Sequence, residues 1–324
     1  MQLARWAFNI RQPLLLENIE PLVTSLTDVN DGRRVIVPVS NLLNYLPKSE
    51  TDVLLQHRLE DDMRRALIAR LMIHAFFTAY YDCQWDELVF DNSEGTKPVL
   101  VSPEHLKNVS FNISHHGDWA ILVGETEASA DGSLRLGVDV VDFQEQVPGE
   151  SFETFSSCFQ DQFTPKEMKF MTDASSPSRT ETQLKRFYRL WCLKESMIKA
   201  LDVSSDFDLK TIEFTIQDNE ETEKPIHSTV IELHEPKKPE LLPQEGWSFE
   251  EALLDDGHCY AIAAQSLSSS FSSSLSCDSS SLSTSSSLSM MEIEKPTPIL
   301  DGSEIRRFDW KELLENAVPY PSQC

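Results

Sequence analysis

The chain has 324 residues, 40% of them hydrophobic and 25% charged, with 28 Lys and Arg against 53 Asp and Glu, a formal net charge of −25. Length and apolar content predict a substantial core in one large or two small domains and exclude a disordered chain. The acidity excludes a nucleic-acid binder, because a phosphate backbone demands a basic footprint, so any anionic ligand must be held by a local cluster of cations or by a metal ion.

A strand pattern opens the chain at LARWAFNI, residues 3–10. A long helix pattern follows over residues 52–80, through LEDDMRRALIARLMIHAFF. VSFNIS (109–114), DWAILVGE (118–125) and RLGVDVV (135–141) read as strands, the last a β-rich apolar run that ends on acid at Asp142. Thr164-Pro165-Lys166-Glu167 has the form of a helix start, with threonine as N-cap, proline at the first helical position and glutamate placed to close a capping box. In FYRLWCLKESMIKAL (187–201), Phe187, Leu190, Trp191, Leu193, Met197, Ile198 and Leu201 fall on one arc of a helix. Lys194 lies inside that apolar arc, Glu195 at its edge, and Lys199 one turn later on the same side as Glu195. IEFTI (212–216) and the two halves of WSFEEALLDDGHCYAIAA (247–264), which flank Asp255-Asp256-Gly257, complete the pattern as strands. Strands around one long helix thus occur twice. That predicts an α+β fold of two similar lobes, at residues 1–127 and 128–265.

Composition changes after Gln265. Residues 266–289 contain 16 serines in 24 positions, a low-complexity stretch that buries too little apolar surface to offset its chain entropy and is expected to be a disordered linker. Beyond it, SEIRRFDWKELLENAV spaces Ile305, Phe308, Leu313 and Val318 loosely as a helix, which on its own would fray without a partner. Residues 266–324 are therefore expected to be a tail, dispensable for folding and activity.

No apolar run is long enough to span a bilayer, and the first residues carry no uninterrupted apolar stretch of the signal-peptide kind, so a cytoplasmic protein without membrane contact is expected. Cys83, Cys158, Cys192, Cys259, Cys277 and Cys324 are scattered with no CxxC pair, which fits reduced thiols rather than a zinc site or a disulfide framework.

Three stretches carry possible chemistry. In FNISHHGDW (111–119), Ser114 beside His115 could be a nucleophile with its base, but adjacent residues of a strand point to opposite faces and no GxSxG elbow follows. A metal site of His115, His116 and Asp118 would need ligands crowded within a few residues to converge on one ion. The plainer reading is a strand leaving the core through a polar turn, and a serine and a histidine at a strand end are also good donors to a phosphate. In GVDVV (137–141), Asp139 sits in an apolar strand, where a carboxylate costs several kcal/mol unless it is paired, hydrogen-bonded or bound to a cation. It is either a strand acid bonded to backbone amides or, with Glu195, one of two carboxylates for a hard cation such as Mg²⁺. Lys194 and Lys199 would then flank that ion as a pyrophosphate requires, although Lys194 alone could also snorkel to solvent.

Together, FNISHHGDW, GVDVV and RLWCLKESMIKAL resemble the 4′-phosphopantetheinyl transferases, specifically the two-lobed type related to Sfp and to the eukaryotic aminoadipate-semialdehyde dehydrogenase phosphopantetheinyl transferases. The resemblance extends over roughly residues 50–265, including RRALIARLMI, TKPVL (96–100) and FTPKE (163–167). It implies a pseudo-dimeric α+β fold with the active site between the lobes, and Mg²⁺-dependent transfer of phosphopantetheine from coenzyme A to a carrier-protein serine. Carried over by residue, Asp139 and Glu195 would ligate Mg²⁺, with Glu195 also taking the serine proton. Lys194 and Lys199 would bind the pyrophosphate. Ser114 and His115, with the adjacent backbone of Asn112 and Ile113, would contact coenzyme A, and Lys97 and Arg64 would hold its outer phosphates. The implied partners are carrier domains of fatty-acid synthase, aminoadipate reductase, or polyketide and peptide synthetases, met by a monomeric enzyme.

The sequence departs from that pattern at two places. Val141 stands two residues after Asp139, where Sfp-type members have a third acid and where a water would fill the metal shell. DNSEGT before Lys97 lacks the basic residues common in relatives. A catalytically silent relative that binds coenzyme A or a carrier domain is the alternative, weighed against by the presence of Asp139, Glu195 and Lys199.

Overall fold

The computed structural model describes residues 2–15, 38–91, 98–128, 134–143, 151–173, 179–203, 207–216, 225, 230–234, 246–266, 300 and 303–320. In chain order the elements are β1 (Leu3–Asn9), α1 (Lys48–Leu54), α2 (Glu60–Tyr80), β2 (Val89–Asp91), β3 (Val99–Ser102), β4 (Phe111–His116), β5 (Trp119–Glu125), β6 (Leu134–Asp142), α3 (Phe152–Ser157), α4 (Pro165–Thr172), α5 (Arg179–Leu201), β7 (Ile212–Thr215), β8 (Val230–Leu233), β9 (Trp247–Asp255), β10 (His258–Ser266), β11 (Arg306–Phe308) and α6 (Trp310–Leu313). The mixture is α+β, as the alternating patterns require. One sheet has the order β11-β1-β5-β4 and a second has the order β6-β10-β9, with β2-β3 and β7-β8 as small antiparallel pairs.

Period-two alternation explains how each sheet is buried on both faces. On β5, Ala120 and Leu122 join the core around α2, whereas Ile121 and Val123 join a core shared by the two sheets. On β10, Ala261 and Ala263 pack toward α5, whereas Ile262 and Ala264 face the shared core. The layers therefore run α2, first sheet, second sheet, α5. The expected helix over 52–80 is two helices, because Glu60, Asp61 and Asp62 place negative charge where it favours a fresh N-terminus. The start at Thr164 forms as expected, with a capping box closed by Glu167. No helix among the described residues is long and apolar enough to cross a membrane. Cys83, Cys158, Cys192 and Cys259 are free thiols.

The C-terminal segment corrects the expectation of a dispensable tail. Residues 267–299, which include all but the first residue of the serine-rich stretch 266–289, lie outside the described residues, but the chain beyond them is built into the fold. β11 adds to β1 in parallel, with Trp6 opposite Arg306 and Phe8 opposite Phe308. Phe308 packs 4.3 Å from Trp6 and Trp310 packs 4.7 Å from Phe8, measured between ring centres. Trp310 Nε1 donates to the Gln12 carbonyl at 3.1 Å, and the Tyr320 hydroxyl donates to the carbonyls of Trp85 and Leu88. Leu300 is buried in the core between the sheets. The helical spacing over 303–318 misled because Phe308 belongs to a strand, and an Asp309–Glu312 capping box starts only one helical turn. The partner that a lone helix lacked is the open edge of β1.

Candidate active site

The two sheets meet where β4 runs beside β6, and the alternation of SFNISHH stitches that seam. Successive outward residues of β4 and its approach each bond to β6: the Ser110 hydroxyl to the Leu134 carbonyl, Asn112 Oδ1 from the Val138 amide at 3.0 Å, the Ser114 hydroxyl to Asp139 Oδ1 at 2.9 Å, and His116 Nδ1 from the Asp142 amide at 3.1 Å. Phe111 and Ile113 point the other way, into the core around α2.

Helix α5 closes the seam from the other side. Gly137 lets it approach, since a Cβ there would lie 1.9 Å from the Ser196 carbonyl oxygen and 2.5 Å from the Ala200 amide nitrogen. That contact sets Cys192 to donate to the Asp139 carbonyl at 3.2 Å and brings Lys199 Nζ to 2.6 Å from Asp139 Oδ1 and 2.8 Å from Ser114 Oγ. Ser114, Asp139 and Lys199 thus form one bonded cluster from three elements. It opens into a pocket of about 450 Å³. Glu195, one turn before Lys199, lines the same pocket together with His115 and His116. Phe155 and Phe159 from the α3 region and Phe187, Tyr188 and Trp191 of α5 form its apolar wall.

The electrostatics follow from this crowding. Burial, and then the negative charge of Asp139, push the Glu195 carboxyl above its ordinary value, while Lys199 opposes them. The pocket walls, and then Lys199 and Arg65, push the His115 imidazole down to about 4 although part of its surface is open to solvent, so it stays neutral at ordinary pH. Asp139 Oδ2 and both Glu195 oxygens have no hydrogen-bond partner among the described residues. Two hard carboxylates facing one pocket, with Asp139 raising the cost of charge on Glu195, suit an oxygen-seeking divalent cation that completes its shell with water and phosphate oxygens. Among the described residues no group of three or more His, Cys, Asp and Glu is arranged to hold a metal ion. Val141 packs into the core beneath α5.

Of the residues singled out by sequence, Asp139, Glu195, Lys199, Ser114 and His115 are brought together. Lys194 is not. Its Nζ lies 2.9 Å from Glu167 Oε2 and donates to the carbonyls of Leu209 and Ile212 at 2.9 and 2.5 Å, with no exposed surface on either side chain. It therefore neither meets a phosphate nor snorkels to solvent; its partner is the glutamate of the capping box. Arg64 also turns away, donating to the Gln12 carbonyl at 2.9 Å. Asn112 uses its side chain on the seam and Ile113 packs its side chain in the core, which leaves their backbone, the part expected to meet coenzyme A, next to Ser114 on β4. Lys97 lies outside the described residues. Sequence reasoning missed the aromatic wall, although Phe155/Phe159 and Phe187/Trp191 each recur at one-turn spacing. It also missed Arg65, whose Nη1 donates to the Gly117 carbonyl at 2.9 Å.

Residues 38–127 match the model of the 4′-phosphopantetheinyl transferase N-terminal region, and residues 135–261, which hold Asp139, Glu195 and Lys199, match that of the 4′-phosphopantetheinyl transferase superfamily. The chain belongs to this superfamily. Among curated members, the mouse L-aminoadipate-semialdehyde dehydrogenase-phosphopantetheinyl transferase is 32% identical over 63% of this chain and 62% of its own length. The human protein of the same name is 31% identical over 62% of this chain and 61% of its own length. A phosphopantetheinyl transferase of Thraustochytrium sp. is 27% identical over 68% of this chain and 70% of its own. The chain thus spans somewhat less than two thirds of the mouse and human relatives. Both superfamily matches end before the C-terminal segment that completes the first sheet. Among solved structures, one titled "Chronobacterium ammoiniagenes apo-ACPS structure" covers 41% of this chain and 97% of its own at 16% identity, with a TM-score of 0.27, too low to carry an argument.

Proposed function

We propose that this superfamily member transfers 4′-phosphopantetheine from coenzyme A to a serine hydroxyl of a carrier protein and releases adenosine 3′,5′-bisphosphate. The observation that carries the proposal is the convergence of Ser114, Asp139, Glu195 and Lys199 at one pocket on the seam between two sheet-and-helix units. In this reading those units are the two lobes of a pseudo-dimeric transferase, divided near residue 128.

In the reaction a bond forms between the acceptor serine Oγ and the phosphorus next to pantetheine, and the pyrophosphate P–O bond breaks. The serine proton passes to the Glu195 carboxylate, whose raised proton affinity makes it a better base than an ordinary glutamate. Lys199 uses two hydrogens on Asp139 and Ser114 and keeps a third for a phosphate oxygen. Neutral His115, at the strand end, donates to the same anion from its N–H. Asp139 and Glu195 would hold Mg²⁺, which when bound draws charge from the pyrophosphate oxygens. The apolar wall excludes water beside Glu195.

The names of the mouse and human relatives point to a carrier domain of the aminoadipate-semialdehyde dehydrogenase kind as acceptor, with fatty-acid synthase carriers as the next candidates. The test is mass spectrometry of an apo carrier protein incubated with this protein, coenzyme A and Mg²⁺. A gain of the phosphopantetheine mass on the carrier serine is expected; an unmodified carrier from every candidate source, with coenzyme A bound, would leave only a binding protein.

A further inference from the structure

The ladder of bonds along the seam has one more rung. After Ser110, Asn112, Ser114 and His116, the next alternate residue is Asp118, in the turn between β4 and β5. Its side chain accepts from Arg11 Nε at 2.6 Å, but its backbone amide donates at 3.2 Å to Nε2 of His258, the first residue of β10. Gly117 makes room for that contact: its φ of +53° lies in the left-handed region, and a Cβ there would stand 2.3 Å from His258 Nε2. Trp119 adds a second crossing, donating from Nε1 to Asp255 Oδ2 at 2.7 Å. The β4–β5 turn of the first sheet is thus clasped by the β9–β10 turn of the second.

Two fixed partners decide the state of the imidazole. The Asp118 amide can only donate, so Nε2 carries a lone pair, and the Asp255 carboxylate, with Oδ1 2.9 Å from Nδ1, can only accept, so the proton sits on Nδ1. Burial pushes the Asp255 carboxyl up, but hydrogen bonds from Trp119, His258 and the Gly257 amide outweigh it and hold Asp255 below its ordinary value, as the charged acceptor this tautomer needs. Asp142 Oδ2, 3.7 Å from Nε2, is beyond hydrogen-bond reach, and His258 is buried.

We infer that His258 is a positioning residue, which through its Nε2 acceptor pins the end of the seam and so fixes the spacing of the Ser114–Asp139–Lys199 cluster. It does not line the pocket itself. One rung inward, His116 Nδ1 accepts from the Asp142 amide, and one rung further Ser114 and Lys199 both reach Asp139 Oδ1 across the same two strands. A seam that opens at Asp118 therefore strains the rung at His116 next and the cluster after it. The consequence for catalysis rests on the transferase reading, whereas the clasp is a property of the ligand-free protein.

Nitrogen-15 NMR of the histidine-labelled, ligand-free protein, with His258 assigned by the signal missing from a variant, reads the tautomer directly. A proton on Nδ1 and none on Nε2 is expected at neutral pH; the reverse overturns the inference. Two variants then separate acceptor from bulk. His258→Leu fills the place of the ring without an acceptor, so hydrogen exchange at the Asp118 amide should quicken roughly tenfold or more, and kcat/KM for transfer from coenzyme A to a carrier should fall roughly 10- to 100-fold. His258→Gln can offer its amide oxygen near the position of Nε2, so it should restore slow exchange at Asp118 and recover most of the transfer. Unchanged exchange and transfer in His258→Leu overturn the inference, and so does a His258→Gln variant as impaired as His258→Leu, because bulk or charge rather than the acceptor would then matter. If His258→Leu does not fold, the wild-type tautomer and the exchange and transfer of His258→Gln decide alone. A wild type that modifies no carrier removes the transferase reading, while tautomer and exchange still show whether His258 holds the seam.

Discussion

Lys194 and Glu167 form an ion pair at 2.9 Å with neither side chain exposed to solvent. Glu167 also accepts from the backbone amides of Thr164 and Phe214, so this one carboxylate ties the start of α4 and β7 to α5 at the residue before Glu195. Removing one partner of such a pair strands the other charge in the core. Lys194→Met should therefore cost about 3–5 kcal/mol of stability, while coenzyme A binding to the folded fraction changes by less than about twofold. Denaturant unfolding with calorimetric titration checks both; weak coenzyme A binding at unchanged stability would put Lys194 on a phosphate after all.

Gly137 is the contact on which α5 rests. Because a Cβ would meet backbone atoms of Ser196 and Ala200, Gly137→Ala must push the helix off β6. Overpacking should cost about 1–3 kcal/mol. Displacing Lys199 and Glu195 from Asp139 should lower transfer roughly 100-fold, as misplacement by an ångström does elsewhere. Steady-state kinetics on the folded variant is the check, and near wild-type turnover would contradict the packing argument.

Glu195 should set an acidic limb of the rate profile. A base works deprotonated, so transfer should fall as pH drops through a midpoint above the ordinary carboxylate range, and Glu195→Gln should lose the limb with about 10²–10⁴-fold of rate. The linkage runs the other way for stability. A carboxyl whose proton affinity is raised by folding stabilises at low pH and loses that contribution as pH rises, so Glu195→Gln should melt higher than wild type at neutral pH.

Chelation by EDTA should abolish transfer, and Mg²⁺ should restore it in wild type. Asp139→Ala removes one of the two carboxylates, so the same addition should restore nothing, while circular dichroism reports a folded chain. Undiminished turnover in EDTA would refute a metal at this pair.

Ending the chain at Ser266 should damage the first sheet. It removes β11 and the buried side chains of Phe308, Trp310 and Leu313, each worth about 1.5–3 kcal/mol when fully buried. A lower melting temperature is expected, partly recovered by adding a peptide of residues 300–320. An unchanged melting curve would mean the segment contributes nothing.

Much of this architecture was legible because its signals are local. Alternation marked β4, β5 and β6, a capping box marked α4, Asp139 stood out as a charge in an apolar strand, and Glu195 and Lys199 stood one turn apart at the edge of an apolar helix face. What escaped detection was pairing across distance. Lys194 looked unpartnered because Glu167 already had a job as a capping residue, and nothing in the local pattern announces a second one. Arg64 and Arg65 are adjacent in sequence, and only the fold decides that the first donates to the Gln12 carbonyl and the second to the Gly117 carbonyl. The helical spacing of 303–318 was real but weak, and the strand edge that overrides it lies at the far end of the chain.

The parallel pairing of β11 with β1 sets Trp6 beside Arg306, 300 positions later. During synthesis, β1 therefore emerges long before the strand that covers its outer edge. Until then the first sheet has an open row of amides and carbonyls, the kind of edge that recruits other chains. The newborn chain has to add the 300 residues between Trp6 and Arg306 before that edge is sealed, so every shorter intermediate exposes it.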